Sequence, residues 1–324
     1  MKYRKLGKWG LKISEISIGS WMTRLTDKAQ IDIAKQSIKT AFDEGINFFD
    51  CADAYSGGDA ERFLGELLSG YKRSDYVISS KVFFPTGKGV NDRGLSRKHI
   101  FENVDQSLKN LKTDYLDMYF CHRYDYDTPV EETMEAMSDL VKQGKILYYG
   151  VSEWLPSQVT DALRVIEKHN LRPLNVIQPQ YNMVDRFIED EMMSICENNG
   201  IGIVAFSPLS QGLLTGKYKK GAAIPEGSRA THQGDKQINK LLTDENLDKV
   251  EKLSEIAEEL GLTMSQLALA WALRKPCMSS LITGASKPEQ VIVNAKASGV
   301  ELSADVLSRI EKILDYRPFF RKIG

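Results

Sequence analysis

Cysteine is scarce and unpatterned in this chain: Cys51, Cys121, Cys196 and Cys277 stand apart, with no CxxC spacing. That argues against a zinc site or a dithiol redox centre; no metal is expected, and the default is reduced thiols in a cytoplasmic protein. Long apolar runs are also missing. The longest falls far short of the ~20 residues a membrane span needs, so no membrane insertion is expected. Met1 to Gly10 carries Lys2, Arg4, Lys5 and Lys8 with no apolar stretch behind them, which is not how a secretory signal reads. Neither sign of charge is in excess: 43 basic against 44 acidic residues leave a net charge of −1, which gives no reason to expect nucleic acid or an anionic membrane as partner. Finally, no GxGxxG follows an early strand, so a doubly wound phosphate-binding turn is unsupported.

What is present is enough apolar residue for one large core, 42% of 324 residues, with 27% charged. Eight short β-rich runs recur: Ile16–Gly19, Ile46–Asp50, Tyr76–Ser80, Tyr115–Cys121, Leu147–Val151, Val176–Gln178, Ile203–Ser207 and Ser280–Thr283. Segments of helical periodicity separate most of them, so the spacing predicts parallel strands with outer crossover helices, closed as a (β/α)8 barrel in a single domain, 1–324. Thr26-Asp27 opens a stripe through Ile31, Ala34, Ile38, Ala41 and Phe42 that Gly45 ends. Ser96 starts a second helix, and Thr128-Pro129 a third that ends near Gly144, with Pro129 at its first helical position. Ahead of the repeats, Tyr3–Leu6 and Leu11–Ser14 flank Gly7-Lys8-Trp9-Gly10 as a hairpin able to plug the barrel bottom. A long insert, Leu209–Ala270, precedes the last strand and holds two helical stretches near the C-terminus; a connection of that length is usually functional.

In such barrels chemistry gathers at the C-terminal ends of the strands. Asp50, Lys81 and His122 end consecutive strands there, and Tyr55 lies in the loop after Asp50. Singly, each has a plain structural account: Asp50 as a turn cap, Tyr55 as a loop aromatic, His122 as a core histidine. Jointly they fit carbonyl reduction, in which the oxygen that gains negative charge needs a proton. A free tyrosine has a pKa of about 10, and a neighbouring ammonium favours its phenolate. Asp50 would hold Lys81 charged, and His122 would polarise the carbonyl. A Schiff-base role for Lys81 is a weaker option.

The runs Phe49-Asp50-Cys51-Ala52-Asp53-Ala54-Tyr55, Lys81 and Cys121-His122-Arg123 resemble the signature elements of the aldo-keto reductases, and the resemblance extends from Arg4-Lys5-Leu6-Gly7 to Gly284-Ala285-Ser286. Within that family Gly94 to Ile100, Thr128 to Thr133, and Ser207-Pro208-Leu209 with Gly212 are similar to the branch holding voltage-gated potassium channel β-subunits and their bacterial relatives. The resemblance implies Tyr55 as proton donor, Asp50 and Lys81 tuning it, and His122 orienting the carbonyl. Channel subunits of that branch look to carry an amide where His122 stands, and no channel-blocking extension precedes the hairpin. Both favour a free-standing enzyme; the alternative is a nucleotide-binding, redox-sensing regulatory subunit.

The same resemblance implies NADPH. Ser152 and Gln178 would meet the carboxamide and Phe206 the nicotinamide ring. Ser207, Pro208, Leu209 and Gly212 would meet the pyrophosphate, where small residues let N–H groups approach. Lys217, Arg229, Ser286 and Gln290 would surround the 2′-phosphate and Asn294 the adenine, with Trp21, Asp50 and Gly284 completing the contacts. Val293 stands where an acidic residue often accompanies the asparagine, and Cys51 where a hydroxyl residue is common. Trp21, Met22, Tyr55, Phe83, Phe84 and Trp154 would wall a pocket for a small-molecule carbonyl substrate. The branch contains tetramers as well as monomers, which leaves room for a homo-oligomer.

Overall fold

The structure, a computed structural model, describes residues 1–20, 28–231 and 236–317. An antiparallel hairpin of β1 (Tyr3–Lys5) and β2 (Lys12–Ser14) precedes eight parallel strands. These are β3 (Ile16–Gly19), β4 (Phe48–Asp50), β5 (Val77–Val82), β6 (Leu116–Cys121), β7 (Ile146–Ser152), β8 (Val176–Gln178), β9 (Gly202–Phe206) and β10 (Met278–Thr283). They pair in sequence order, and β10 closes on β3, so the (β/α)8 barrel with its N-terminal hairpin is present as expected.

Eleven helices are described: α1 (Lys28–Asp43), α2 (Asp59–Leu68), α3 (Arg97–Leu111), α4 (Val130–Lys142), α5 (Pro156–Lys168), α6 (Met192–Asn199), α7 (Lys236–Leu241), α8 (Asp244–Glu259), α9 (Met264–Leu273), α10 (Pro288–Ala295) and α11 (Ala304–Leu314). Local chemistry sets several ends. Past α1, Gly45 adopts φ +78, and Ile46 donates its N–H back to Ala41, which satisfies a terminal carbonyl. The Thr26-Asp27 start expected for α1 lies outside the described residues. Ser96 caps α3 by accepting the His99 N–H. Pro129 is corrected: at φ −55 and ψ 135 it is the residue before α4, not its first helical residue. The ring constrains φ but leaves ψ free, so proline serves either position. The insert holds three helices rather than two, because α7, at 6 residues, is under two turns and too short to show a periodicity.

Two apolar layers build the molecule. The outer, larger one lies between strands and helices. The inner one fills the barrel with Phe48, Val77, Met118, Phe120, Val176, Val204 and Ile282, and Leu6 and Ile13 of the hairpin join it. Gly7 N–H donates to Ser279 Oγ and Lys8 N–H to the Gly200 oxygen, so the hairpin seals the end of the barrel where β9 and β10 begin. Since side chains two apart on a strand share a face, the inward phase above this plug continues as Asp50, Lys81, His122 and Gln178. Gly150 lets β7 lie close against β8: a Cβ there would lie 2.3 Å from the Val176 carbonyl oxygen. Among the described residues no helix is long and apolar enough to cross a membrane.

Candidate active site

The open end of the barrel gathers the ionisable groups. Lys81 Nζ, with no solvent exposure, donates to Asp50 Oδ2 at 2.6 Å, to the Cys51 carbonyl at 2.6 Å and to Tyr55 Oη at 3.3 Å. It also lies 4.9 Å from the centre of the Tyr55 ring. Asp50 Oδ1 accepts from Ser79 Oγ at 2.6 Å and from Gln178 Nε2 at 2.9 Å. Three strands and one loop thus converge on one carboxylate and one ammonium.

Burial and charge oppose one another here. Burial alone would lower the Lys81 pKa, but Asp50 and Tyr55 outweigh it and the pKa rises. For Tyr55 burial is the larger effect and raises the pKa, while Lys81 pulls it down. The expected influence of the ammonium is therefore real but smaller than the cost of burying a phenolate. His122 is pushed down to about 2, by burial first and then by the Lys81 and Arg123 charges. All three effects favour the neutral ring. It sits edge-on to Tyr55 at 5.8 Å and to Phe84 at 4.9 Å, and its buried Nδ1 has no hydrogen-bond partner among the described residues.

The residues expected to hold a cofactor fall into groups. Ser152 Oγ donates to the Gln178 carbonyl at 2.9 Å, which ties both to the carboxylate network. Phe206 ends β9, and the chain then runs through Ser207, Pro208 and Leu209 into a turn where Ser207, Ser210, Gln211 and Gly212 have φ of 51, 46, 58 and 99. Non-glycine residues in the left-handed region cost energy and gather where a ligand is clamped. Lys217 reaches back to that turn, with Nζ 3.5 Å from where a Gly212 Cβ would stand. Arg229 opens the short turn Arg229–Thr231. Exposed Gly284 follows β10, and Ser286 donates its N–H to Gln290 Oε1 at 2.8 Å at the start of α10. Asn294 is buried on the same helix. Trp21 and Met22 lie outside the described residues. Three buried polar atoms, His122 Nδ1, Gln211 Oε1 and Ser228 Oγ, have no hydrogen-bond partner among the described residues; they lie at the catalytic end and along the expected phosphate segment, where a polar ligand with both donors and acceptors could satisfy them.

Each described aromatic residue expected around the mouth has a ring neighbour. Phe83 meets Phe84 at 5.3 Å, and Trp154 meets Tyr124 at 4.8 Å. Several contributors escaped sequence reasoning. Ser79 shares the inward phase of β5 with Lys81, so the strand alternation could have found it. Asn182 donates Nδ2 to the Ser207 carbonyl and accepts the Val184 and Asp185 N–H groups, a tertiary link that no local pattern marks. Asp53 and Glu61, both buried, lie behind the site; Glu61 takes Ser80 Oγ and Asn110 Nδ2, while both Asp53 oxygens lack a hydrogen-bond partner among the described residues.

A closed parallel barrel with an Asp-Lys-Tyr cluster and a neutral histidine at its open end defines a family. The aldo/keto reductase family model matches residues 15–315, and the chain belongs to that family. Among similar proteins is a probable voltage-gated potassium channel subunit beta of Arabidopsis thaliana, 44% identical over 98% of each chain. A protein of the same description from Oryza sativa subsp. japonica is 42% identical, also over 98% of each. A putative voltage-gated potassium channel subunit beta of Schizosaccharomyces pombe is 42% identical over 98% of this chain and 94% of its own.

Proposed function

We propose that this chain is an NADPH-dependent reductase of aldehyde or ketone carbonyls in which Tyr55 donates the proton. The observation that carries the reading is the fully buried Lys81 ammonium, paired with Asp50 at 2.6 Å and 3.3 Å from the Tyr55 hydroxyl. Burying an ion costs several kcal/mol unless it is well paired, and Asp50 supplies the pairing. Bound nicotinamide would supply the hydride. The remaining work falls to side chains. Burial keeps the Tyr55 proton in place until it is needed, and the adjacent ammonium stabilises the phenolate left behind. Neutral His122 can hydrogen-bond the substrate oxygen without competing for that proton. Gln178, whose Nε2 is engaged by Asp50, keeps Oε1 for a carboxamide, and Ser152 keeps its oxygen lone pairs. Phe206 would stack on the ring, Ser207 to Gly212 would meet the pyrophosphate, and Lys217, Arg229, Ser286, Gln290 and Asn294 would hold the 2′-phosphate and adenine. A cytoplasmic enzyme is part of the same reading.

The test is NADPH consumption with a panel of reactive aldehydes. Tyr55→Phe should slow turnover by ~10²–10⁴; equal rates in wild type and variant would refute the assignment. Arg229→Ala should weaken NADPH by about tenfold or more relative to NADH, since charge-assisted contacts to phosphate are strong. A second reading is a nucleotide-binding, redox-sensing regulatory subunit; the relatives' description as potassium channel β-subunits favours the subunit part of it. It would be supported by slow turnover together with a stable complex with a membrane protein.

A further inference from the structure

Arg123 follows His122 directly and is only partly buried. Its guanidinium carbon lies 5.6 Å from the centre of the Phe84 ring, and Nη1 donates to the His122 carbonyl at 2.5 Å. Phe84 in turn packs against the His122 imidazole. The cation is thus fixed beside the ring that faces the reacting carbonyl, near enough to lower the imidazole pKa further after burial has done most of it. Other arginines with buried or half-buried guanidinium groups, Arg4, Arg73, Arg186 and Arg274, pair with carboxylates. Arg123 has no ion pair among the described residues. Glu153 is within electrostatic range, but its Oε1 already accepts the Gln180 N–H at 2.7 Å, and burial, outweighing Arg123, raises its pKa.

A guanidinium carries five N–H donors in a planar fork that matches a carboxylate. Only one is engaged among the described residues. We propose that Arg123 is a specificity-determining residue that selects carbonyl substrates bearing a carboxylate a short spacer away from the reacting carbon. The inference rests on the carbonyl-reductase reading above. The Phe84 ring lies between the two groups, 5.6 Å from the guanidinium carbon and 4.9 Å from the imidazole, so a spacer of about one ring spans from the carbonyl at His122 to the cation. The Phe84 ring between them suits a flat apolar spacer.

Two probes of similar shape decide it: 4-carboxybenzaldehyde and its neutral methyl ester. With NADPH, wild type should favour the acid in kcat/KM, with the advantage in KM. Arg123→Met should cut the acid-to-ester ratio by about 10- to 100-fold, as for a lost charge-assisted pair, and Arg123→Lys should restore part of it. A wild type that does not prefer the acid, or a ratio unmoved in Arg123→Met, would overturn the proposal. If wild type reduces neither probe, the reductase reading fails instead. Calorimetry of benzoate against benzamide in the presence of NADP⁺ then judges the anion site alone: benzoate binding lost in Arg123→Met supports it, and benzoate binding no tighter than benzamide overturns it.

Discussion

His122 meets two cations and little water, and its folded pKa of about 2 has a consequence for stability. An unfolded histidine titrates near ~6.5. Between those values the unfolded chain takes up a proton that the folded chain refuses, so the full contribution is present above about pH 6.5 and is lost as the pH falls toward 2. Relative to His122→Asn, wild type should lose about 2 kcal/mol between pH 7 and pH 5; urea denaturation at the two pH values measures it, and a gap that stays constant contradicts a buried neutral ring. Lys81 tests the opposite sign of charge. In Lys81→Met the Asp50 carboxylate keeps Ser79 and Gln178 but loses its counter-ion. The expected cost is about 3–5 kcal/mol. Adding Asp50→Asn should return most of it, because an amide carries no charge to desolvate. If the double variant is as unstable as the single one, the pair is not what holds the barrel mouth.

Elements carry the site by alternation. In β5 the inward positions are Val77, Ser79 and Lys81, apolar at the bottom and ionised at the top, and β4 repeats this with Phe48 and Asp50. A shift of one residue in either strand would turn lysine or aspartate outward. Two glycines elsewhere, Gly150 on β7 and Gly212 in the turn after β9, separate steric from conformational demands. Gly150→Ala drives a Cβ against the Val176 carbonyl and should cost about 3 kcal/mol or prevent folding, since neighbouring strands cannot part. Gly212→Ala meets its nearest side-chain atom at an ordinary 3.5 Å but must hold φ +99, so its cost should be only about 1–2 kcal/mol of backbone strain. Thermal denaturation of the two variants side by side should give that order; the reverse order would mean that the barrel wall yields more readily than the turn.

At the scale of the whole molecule, an ion network links distant segments. Arg186 pairs with Glu189 at 2.7 Å and with Glu311 on α11 at 2.5 Å, while Arg274 joins Glu189 at 3.1 Å and stacks on Trp271. Tyr316 lies over Arg186 and donates to Asp190 at 3.1 Å. The network fastens the last described helix to the loop after β8. Arg186→Leu strips Glu189 and Glu311 of one partner each and should cost about 3 kcal/mol. Opening should begin at the end of the chain, so hydrogen exchange in α11 should accelerate before that in β5 or β6. Uniform acceleration across the barrel would show that α11 is not a separable unit.

The sequence by itself determined the number, order and parallel sense of the barrel strands, because apolar runs and capping residues such as Ser96 and Gly45 are local signals that survive any tertiary arrangement. It also named Asp50, Tyr55, Lys81 and His122, through residue types at strand ends and in the loop after β4 that resemble the family pattern. The protonation of Lys81, Tyr55 and His122 was decided only by the tertiary structure. Lys81 stays charged and His122 stays neutral because of how completely each is buried and which charge it faces. Arg123 follows the same logic: its residue type is plain in the chain, but its lack of an ion pair among the described residues arises from strands and loops far apart in sequence, and desolvation and Coulomb interaction depend on distance in space.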